Sequence, residues 1–111
     1  MKEVSILVKI NNKDLPYEYN GTGIINKDII EYKDQEYNYI FDKGISRLTK
    51  YNKDTRLIID FNKEEIVIVQ EKTLTIKIKV KEKEIKENYI YFKYIIDNDD
   101  IDFSIEIKEV K

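Results

Sequence analysis

Alternating apolar and polar residues between Leu74 and Val80 constrain the fold of this chain more than any other stretch. The apolar residues are Leu74, Ile76, Ile78 and Val80, and the polar residues between them are Thr75, Lys77 and Lys79. Successive strand side chains point to opposite faces, so this stretch would carry one aliphatic and one polar face. A helix needs apolar residues three and four apart, which this stretch lacks. The pattern predicts a strand of an antiparallel sheet around a core, and Ile101–Ile107 repeats it.

Short polar clusters separate such apolar stretches at intervals of roughly ten residues. They are rich in Asn, Asp and Lys and occupy residues 11–14, 26–28, 33–35, 42–44, 52–54, 62–64, 71–72, 81–88 and 97–100. Asn and Asp favour tight reversals because their side chains bond to their own backbone. The clusters delimit ten predicted strands: Glu3–Ile10, Tyr17–Ile25, Ile29–Tyr32, Glu36–Phe41, Ile45–Tyr51, Thr55–Phe61, Glu65–Gln70, Thr73–Lys81, Tyr89–Ile96 and Ile101–Val110.

The stretch Lys79–Asn88 is rich in Lys and Glu and has the strongest helical character in the chain. Val80 and Ile85 are its only apolar anchors, which is too few for a stable amphipathic helix. We interpret it as the end of one strand, a charged turn and the start of the next strand. A short helical turn is the alternative.

An all-β, antiparallel, up-and-down barrel is the fold that these strands favour. About ten short strands without crossover helices are typical of a sandwich or a closed barrel. Closure removes the exposed edge strands that otherwise recruit other chains, so we favour the barrel. No linker or change of composition divides residues 1–111, and we expect a single β-barrel domain.

The chain lacks cysteine and histidine, and this excludes most familiar enzyme chemistry. There is no thiolate nucleophile, no zinc–thiolate site and no histidine to act as general base or metal ligand. The 20 basic and 22 acidic residues give a net charge of −2, whereas a nucleic-acid binder usually carries a basic excess. We therefore expect a non-enzymatic protein with no cofactor, no metal and no nucleic-acid partner. Met1–Ile10 shows neither a signal peptide nor a membrane span, which predicts a cytoplasmic location.

Several short segments follow one another in a familiar order. They are Tyr19–Gly23 before Ile29–Tyr32, Leu48–Asn52 before Thr55–Phe61, and Leu74–Val80 before Tyr89–Ile96, with Tyr94 at a typical tyrosine position. From about Ile6 to Ile107 this order resembles the YwiB-like family of small bacterial proteins. Lys50 stands where that family would have Arg, and Asn52 where Gly is usual. The resemblance implies a calycin-type, lipocalin-like barrel of about 8–10 strands and, since the family has no established activity, no catalytic residues.

The barrel interior is the leading candidate for a functional site. Small barrels either fill their lumen with side chains or hold one small ligand. Tyrosines would give a pocket an apolar wall with polar hydroxyls, and an arginine would bind an anionic head group. The alternative is that the tyrosines only complete the core, with their hydroxyls at the rim. The candidate ligand-binding residues are Tyr17, Tyr19, Tyr37, Tyr39, Arg47, Arg56 and Tyr94.

The outer face of the late hairpin is the second candidate, as a surface for a protein partner or a homodimer. If Phe92 points inward, Tyr89, Tyr91 and Lys93 point outward and would lie beside the lysines of the preceding strand. Basic residues between exposed aromatics also suit single-stranded nucleic acid, but the negative net charge argues against it. The alternative is a solvated wall that discourages aggregation. The candidate interaction residues are Lys77, Lys79, Lys81, Tyr89, Tyr91 and Lys93.

Two further motifs carry little chemistry. The acidic stretch Asp97–Asp102 fails the EF-hand spacing, because Ile101 occupies the fifth loop position and Lys108 the twelfth. Gly21-Thr22-Gly23 is too short for a phosphate loop and lacks the following helix. We interpret the first as a polar turn and the second as a bend in a curved strand.

Overall fold

The computed structural model describes residues 1–14 and 16–110. Within these residues it contains eleven strands and no helix, which confirms the all-β prediction. The strands are β1 (Lys2–Asn11), β2 (Tyr17–Asn26), β3 (Ile29–Lys33), β4 (Asn38–Asp42), β5 (Arg47–Tyr51), β6 (Arg56–Asp60), β7 (Glu65–Val69), β8 (Thr73–Lys77), β9 (Lys79–Ile85), β10 (Tyr89–Ile96) and β11 (Asp99–Val110).

All the strands belong to one antiparallel sheet that curves into a nearly closed barrel. Strands β1 to β8 pair in chain order, as do β9 to β11, and the pairing of β1 with β11 joins the two runs. This arrangement confirms the predicted up-and-down barrel. We call the end that carries the turns at 34–37, 52–55 and 70–72 the upper end, and the end that carries the turns at 27–28, 43–46 and 61–64 the lower end.

The barrel approaches closure where β8 passes into β9 without turning back. Ile78 separates the two strands, and its backbone N–H donates a 3.1 Å hydrogen bond to the carbonyl of Glu64 in the β6–β7 turn. On one side of Ile78 the chain pairs with β7, and on the other side it pairs with β10. The predicted strand Thr73–Lys81 is therefore two strands.

Strand β9 also corrects the interpretation of Lys79–Asn88. Lys79–Ile85 is a strand with Ile85 opposite Ile90, so the charged turn is confined to 86–88 and the helical turn is wrong. Its lysines and glutamates suit a strand at the end of a sheet, where charged side chains discourage further pairing. The ends of the other predicted strands lie within two residues of the observed ends.

Asn and Asp side chains begin several turns, as their positions in the sequence predict. Asp34 Oδ1 accepts hydrogen bonds from the backbone N–H groups of Glu36 and Tyr37 at 2.9 and 2.8 Å. Asn52 and Asp60 accept bonds from the second and third following residues in the same way. These local bonds give the turns a defined shape.

The four phenylalanine rings occupy the centre of the barrel. Phe61 stacks on Phe92 with centroids 3.9 Å apart, and Phe41 lies 5.9 Å from Phe103. Buried aliphatic side chains surround these rings: Val4, Ile6, Val8, Ile30, Leu48, Ile59, Ile66, Ile78, Ile90, Ile101 and Ile105. Side chains therefore fill the barrel at this level, which is one of the two ways in which small barrels use their interior.

Candidate functional site

Five tyrosines form what we call the tyrosine cluster: Tyr17, Tyr19, Tyr32, Tyr37 and Tyr39. The Tyr32 ring lies between those of Tyr19 and Tyr39, with centroid distances of 5.0 and 4.5 Å. The rings of Tyr17 and Tyr37 lie beside that of Tyr39, with centroid distances of 5.9 and 6.5 Å. The structure thus brings together four residues predicted from the sequence and adds Tyr32. The sequence signal for Tyr32 was its position two residues after Ile30 on β3, because this spacing places both side chains on the inner face.

The Asp34 carboxylate binds the cluster from the β3–β4 turn. Its Oδ2 accepts hydrogen bonds from the hydroxyls of Tyr39 and Tyr17, at 2.7 and 3.0 Å. Burial would raise the pKa of Asp34, but the bonds from Tyr39, the turn backbone and Tyr17 outweigh it and keep the pKa below its ordinary value of 3.8. With all four donors, the carboxylate is a fixed structural anion at neutral pH. The sequence interpretation of 33–35 as a turn misses this role.

The tyrosine cluster bridges a gap in the sheet between β2 and β3. Only the last three residues of β2 pair with β3, so its first seven residues have no backbone ladder on that side. Tyr17 crosses the gap to Asp34, and Tyr19 crosses it to stack on Tyr32. An open cleft of about 460 Å³ lies in the gap, lined by both strands. Side chains therefore hold β2 and β3 together where backbone hydrogen bonds do not.

The Tyr32 hydroxyl is the unusual group of this cluster. Tyr32 is buried, and its hydroxyl has no hydrogen-bond partner among the residues that the structure describes. Burial, followed by the neighbouring Tyr17 and Asp34, raises the pKa of Tyr32 well above its ordinary value. The phenol is therefore neutral at physiological pH, and burying its unpaired hydroxyl carries a cost in free energy.

One row of directly opposed residues crosses the upper inner face from β3 to β8. The row is Tyr32, Tyr39, Lys50, Leu57, Ile68 and Leu74. The two tyrosines are buried, the next three residues are half-buried, and Leu74 is 56% exposed. Leu74 shares its face of β8 with Ile76, which packs against the core. Leu74 is exposed because β8 is the last strand of the sheet on this side.

An open cavity of about 880 Å³ lies over the exposed end of this row. Ile68 and Leu74 form its apolar surface, and the turns at 53–55 and 70–72 form its polar rim. Lys50, two strands from Ile68, faces the same side, and its Nζ lies 4.1 Å from the centroid of the Tyr37 ring. We call the surface formed by Lys50, Leu57, Ile68 and Leu74 the upper ledge. It combines an apolar strip with an amine, which suits a ligand that is partly apolar and partly anionic.

The remaining predicted ligand-binding residues lie elsewhere. Arg47 is on β5 towards the lower end, where its Nη2 forms a 3.0 Å ion pair with Asp60. Arg56 is exposed at the start of β6. Tyr94 packs edge-on against Phe61 inside the barrel, and burial raises its pKa to about 12. The structure does not bring these three residues to the tyrosine cluster, where Lys50 is a cation that sequence reasoning did not select.

The outer wall of the late hairpin contains the predicted pair Tyr89 and Tyr91, whose rings are nearly parallel with centroids 6.4 Å apart. Each has one acidic cross-strand neighbour: Tyr89 lies opposite Glu106 on β11, and Tyr91 lies opposite Glu84 on β9, with Ser104 of β11 on its other side. The Tyr91 hydroxyl donates a 2.8 Å hydrogen bond to Asp102. A carboxylate therefore lies next to each of these tyrosines.

The predicted lysines of this surface are spread over three strands, and only Lys93 shares β10 with the tyrosines. Lys93 lies between Glu82 of β9 and Asp102 of β11. Lys79 and Lys81 lie at the other end of β9 from Glu84, and Lys77 belongs to β8. The structure does not combine the six residues into one basic and aromatic platform.

The acidic stretch at 97–102 forms a turn and the start of β11. Within residues 1–14 and 16–110, no group of three or more acidic side chains has an arrangement able to hold a metal ion. In the same residues no helix is long and apolar enough to cross a membrane.

Comparisons with protein-family models, with curated proteins and with solved structures found no match for this chain. The resemblance to the YwiB-like family therefore stays a prediction from the sequence.

Proposed function

We propose that this protein binds a small, partly apolar ligand with an acidic group on the upper ledge, and that it acts without catalysis. The observation that carries the proposal is the exposure of Leu74, an inward-facing leucine next to an open cavity. Exposed apolar side chains beside a convergent polar group are typical of small-molecule sites. Lys50 supplies that polar group.

The geometry of the ledge limits the length and the polarity of the ligand. Neighbouring strands are about 4.8 Å apart, so the three steps from Lys50 to Leu74 span roughly 14 Å. The amine occupies one end of this span, and Leu57, Ile68 and Leu74 occupy the rest. The ligand that fits has an acidic group at one end and an apolar body roughly 10 Å long.

The upper ledge supports this proposal better than the deep lumen does. The phenylalanine rings and the aliphatic side chains around them occupy the centre of the barrel. Binding there would require several packed rings to move, and well-packed cores resist such rearrangement. A ligand on the ledge needs no core residue to move.

We also propose a location for the protein in the cell. A chain without cysteine suits a reducing compartment, and we place the protein in the bacterial cytoplasm. We also propose that it is a calycin-type barrel protein related to the YwiB-like family.

Titration with anilinonaphthalene sulfonate, a fluorescent anion with an apolar body, tests the site directly. We expect one equivalent to bind the wild-type protein with a blue-shifted emission. Leu74→Asp should weaken binding at least about tenfold, because it places a second anion where the apolar body packs. Lys50→Gln should weaken it about fivefold to tenfold through the loss of a charge-assisted contact.

Ile45→Asp is the matched control, because Ile45 is an exposed apolar residue in a turn at the lower end. It should bind the probe as the wild type does, and circular dichroism should show all the variants folded. Equal affinity in the wild type, Leu74→Asp and Lys50→Gln would refute the site. Native mass spectrometry of freshly purified protein would then identify any molecule bound elsewhere.

A further inference from the structure

Strand β8 has a free edge. It pairs with β7 on one side, and the sheet ends on its other side. Within the described residues, the backbone of Thr73–Lys77 makes hydrogen bonds only to β7. A strand edge of this kind presents unpaired N–H and C=O groups that another strand can bind.

The two end strands of the sheet differ in how their edges are protected. Strand β9 reads Lys-Val-Lys-Glu-Lys-Glu-Ile, and its alternating charges discourage pairing. Strand β8 reads Thr-Leu-Thr-Ile-Lys, which has high β-propensity and one charged residue at its end. The edge with the single charge is also the edge at which Leu74 is exposed.

We propose that β8 pairs antiparallel with β8 of a second copy of this chain, about a two-fold axis at Thr75. An axis perpendicular to the sheet makes the contact isologous, so each copy offers the same strand. In this register Thr75 faces Thr75 of the second copy, and Leu74 faces Ile76. Lys77, the charged residue of the strand, faces Thr73 and not another lysine.

The sequence of β8 selects this occupant. Cross-strand Thr–Thr and aliphatic pairs are favourable in antiparallel sheets, whereas opposed like charges are unfavourable. A partner strand would extend the sheet beyond β8 and cover part of the Leu74 side chain. The contact is small, so the dimer is weak and depends on protein concentration.

The dimer covers part of Leu74, but it can be tested without altering the ledge, because the Thr75 side chain lies on the outer face of β8. Thr75 is opposite Val67, whereas Leu74 is opposite Ile68 of the upper ledge. A substitution at Thr75 therefore changes the free edge without entering the ledge.

Sedimentation velocity over a concentration series tests the pairing. The wild type should approach twice its monomer mass of 13.4 kDa at the highest concentrations. Thr75→Lys should raise the dimer dissociation constant at least about tenfold, because two ammonium groups would face each other across the axis. Gln35→Lys, which adds the same charge in the exposed β3–β4 turn, should dimerise as the wild type does.

Cysteine cross-linking defines the register. The chain has no cysteine, so a single substitution gives an unambiguous product. Directly opposed residues have Cβ atoms about 4.5–5.5 Å apart, close to the span of a disulfide. Under mild oxidation Thr75→Cys should form a disulfide-linked dimer quickly, and Gln35→Cys should form it only slowly. A wild type that stays monomeric at about 1 mM protein, or equal cross-linking of both cysteine variants, would overturn the proposal.

Discussion

Tyr32 and Tyr39 have stacked rings but opposite hydrogen-bonding states. The Tyr39 hydroxyl donates to Asp34, whereas the Tyr32 hydroxyl is buried without a described partner. Tyr39→Phe should lower the free energy of unfolding by about 1.5 to 3 kcal/mol, because it removes a hydrogen bond to a charged acceptor. Tyr32→Phe should leave that free energy unchanged or raise it, because it removes an unpaired buried hydroxyl. Urea unfolding of the two variants measures both effects.

The two variants control each other, since each loses one hydroxyl from adjacent buried rings. An equal loss of stability in both would mean that the Tyr32 hydroxyl has a partner, such as a buried water.

Asp34 makes stability depend on pH in the acid range. Its pKa in the folded state lies below the ordinary 3.8, so the unfolded state binds the proton more readily. The stabilisation is complete above about pH 5 and is lost as the pH falls through the folded-state pKa. The difference in unfolding free energy between the wild type and Asp34→Asn should therefore be constant near neutral pH. Below pH 3.8 it should shrink.

Urea unfolding of both proteins between about pH 2 and pH 7 provides the measurement. Asp60, whose pKa is also lowered, titrates in both proteins, so its contribution cancels in the difference. A difference that stays constant down to pH 2 would show that the Asp34 carboxylate gains nothing from the hydroxyls around it.

Strand β2 contains two glycines whose surroundings differ. A Cβ at Gly23 would lie 2.9 Å from Ile6 Cδ1 and 3.1 Å from the Glu31 carbonyl, so it would press on β3 and on the core. A Cβ at Gly21 would lie 2.7 Å from the Tyr19 hydroxyl, which is the movable end of a side chain. Gly23→Ala should therefore cost about 1 to 3 kcal/mol, and Gly21→Ala less than about 1 kcal/mol.

Thermal unfolding compares the stability of the two variants, and near-ultraviolet circular dichroism reports the environment of the tyrosine rings. Gly21→Ala should change the tyrosine signal, because Tyr19 must leave its stacked position on Tyr32. A larger loss of stability for Gly21→Ala than for Gly23→Ala would contradict this account of the β2–β3 gap.

At the scale of strands, the sequence predicts most of the fold because alternation and turn residues are local signals. Tyr37 and Tyr39 belong to such a pattern, and they do lie in the tyrosine cluster. The division at Ile78 was not predictable, because it depends on a hydrogen bond to Glu64 in a distant turn. The role of Asp34 was not predictable for a related reason. Its partner Tyr17 is 17 residues away in the sequence, and the fold brings the two together. Lys50 faces inward by register, but no local pattern distinguishes it from the exposed lysines.

At the scale of the whole molecule, the phenylalanine stack joins the short strands to the long ones. Phe61, which follows β6, stacks on Phe92 of β10, and Phe41 of β4 contacts Phe103 of β11. Because each side of the barrel buries its rings against the other, neither has a separate core. We therefore expect one cooperative unfolding transition, with equal calorimetric and van't Hoff enthalpies.

Phe61→Ala tests this coupling. Removing a buried ring should cost about 3 to 5 kcal/mol and lower the melting temperature by more than about 10 °C. The loss should be the same by far-ultraviolet circular dichroism and by tyrosine fluorescence, since both report one unit. Ile45→Ala, at an exposed position of a lower turn, should change the unfolding free energy by less than about 0.5 kcal/mol. Two separate transitions in Phe61→Ala would mean that the short and long strands fold independently, so the stacked rings would be a contact between two units and not a shared core.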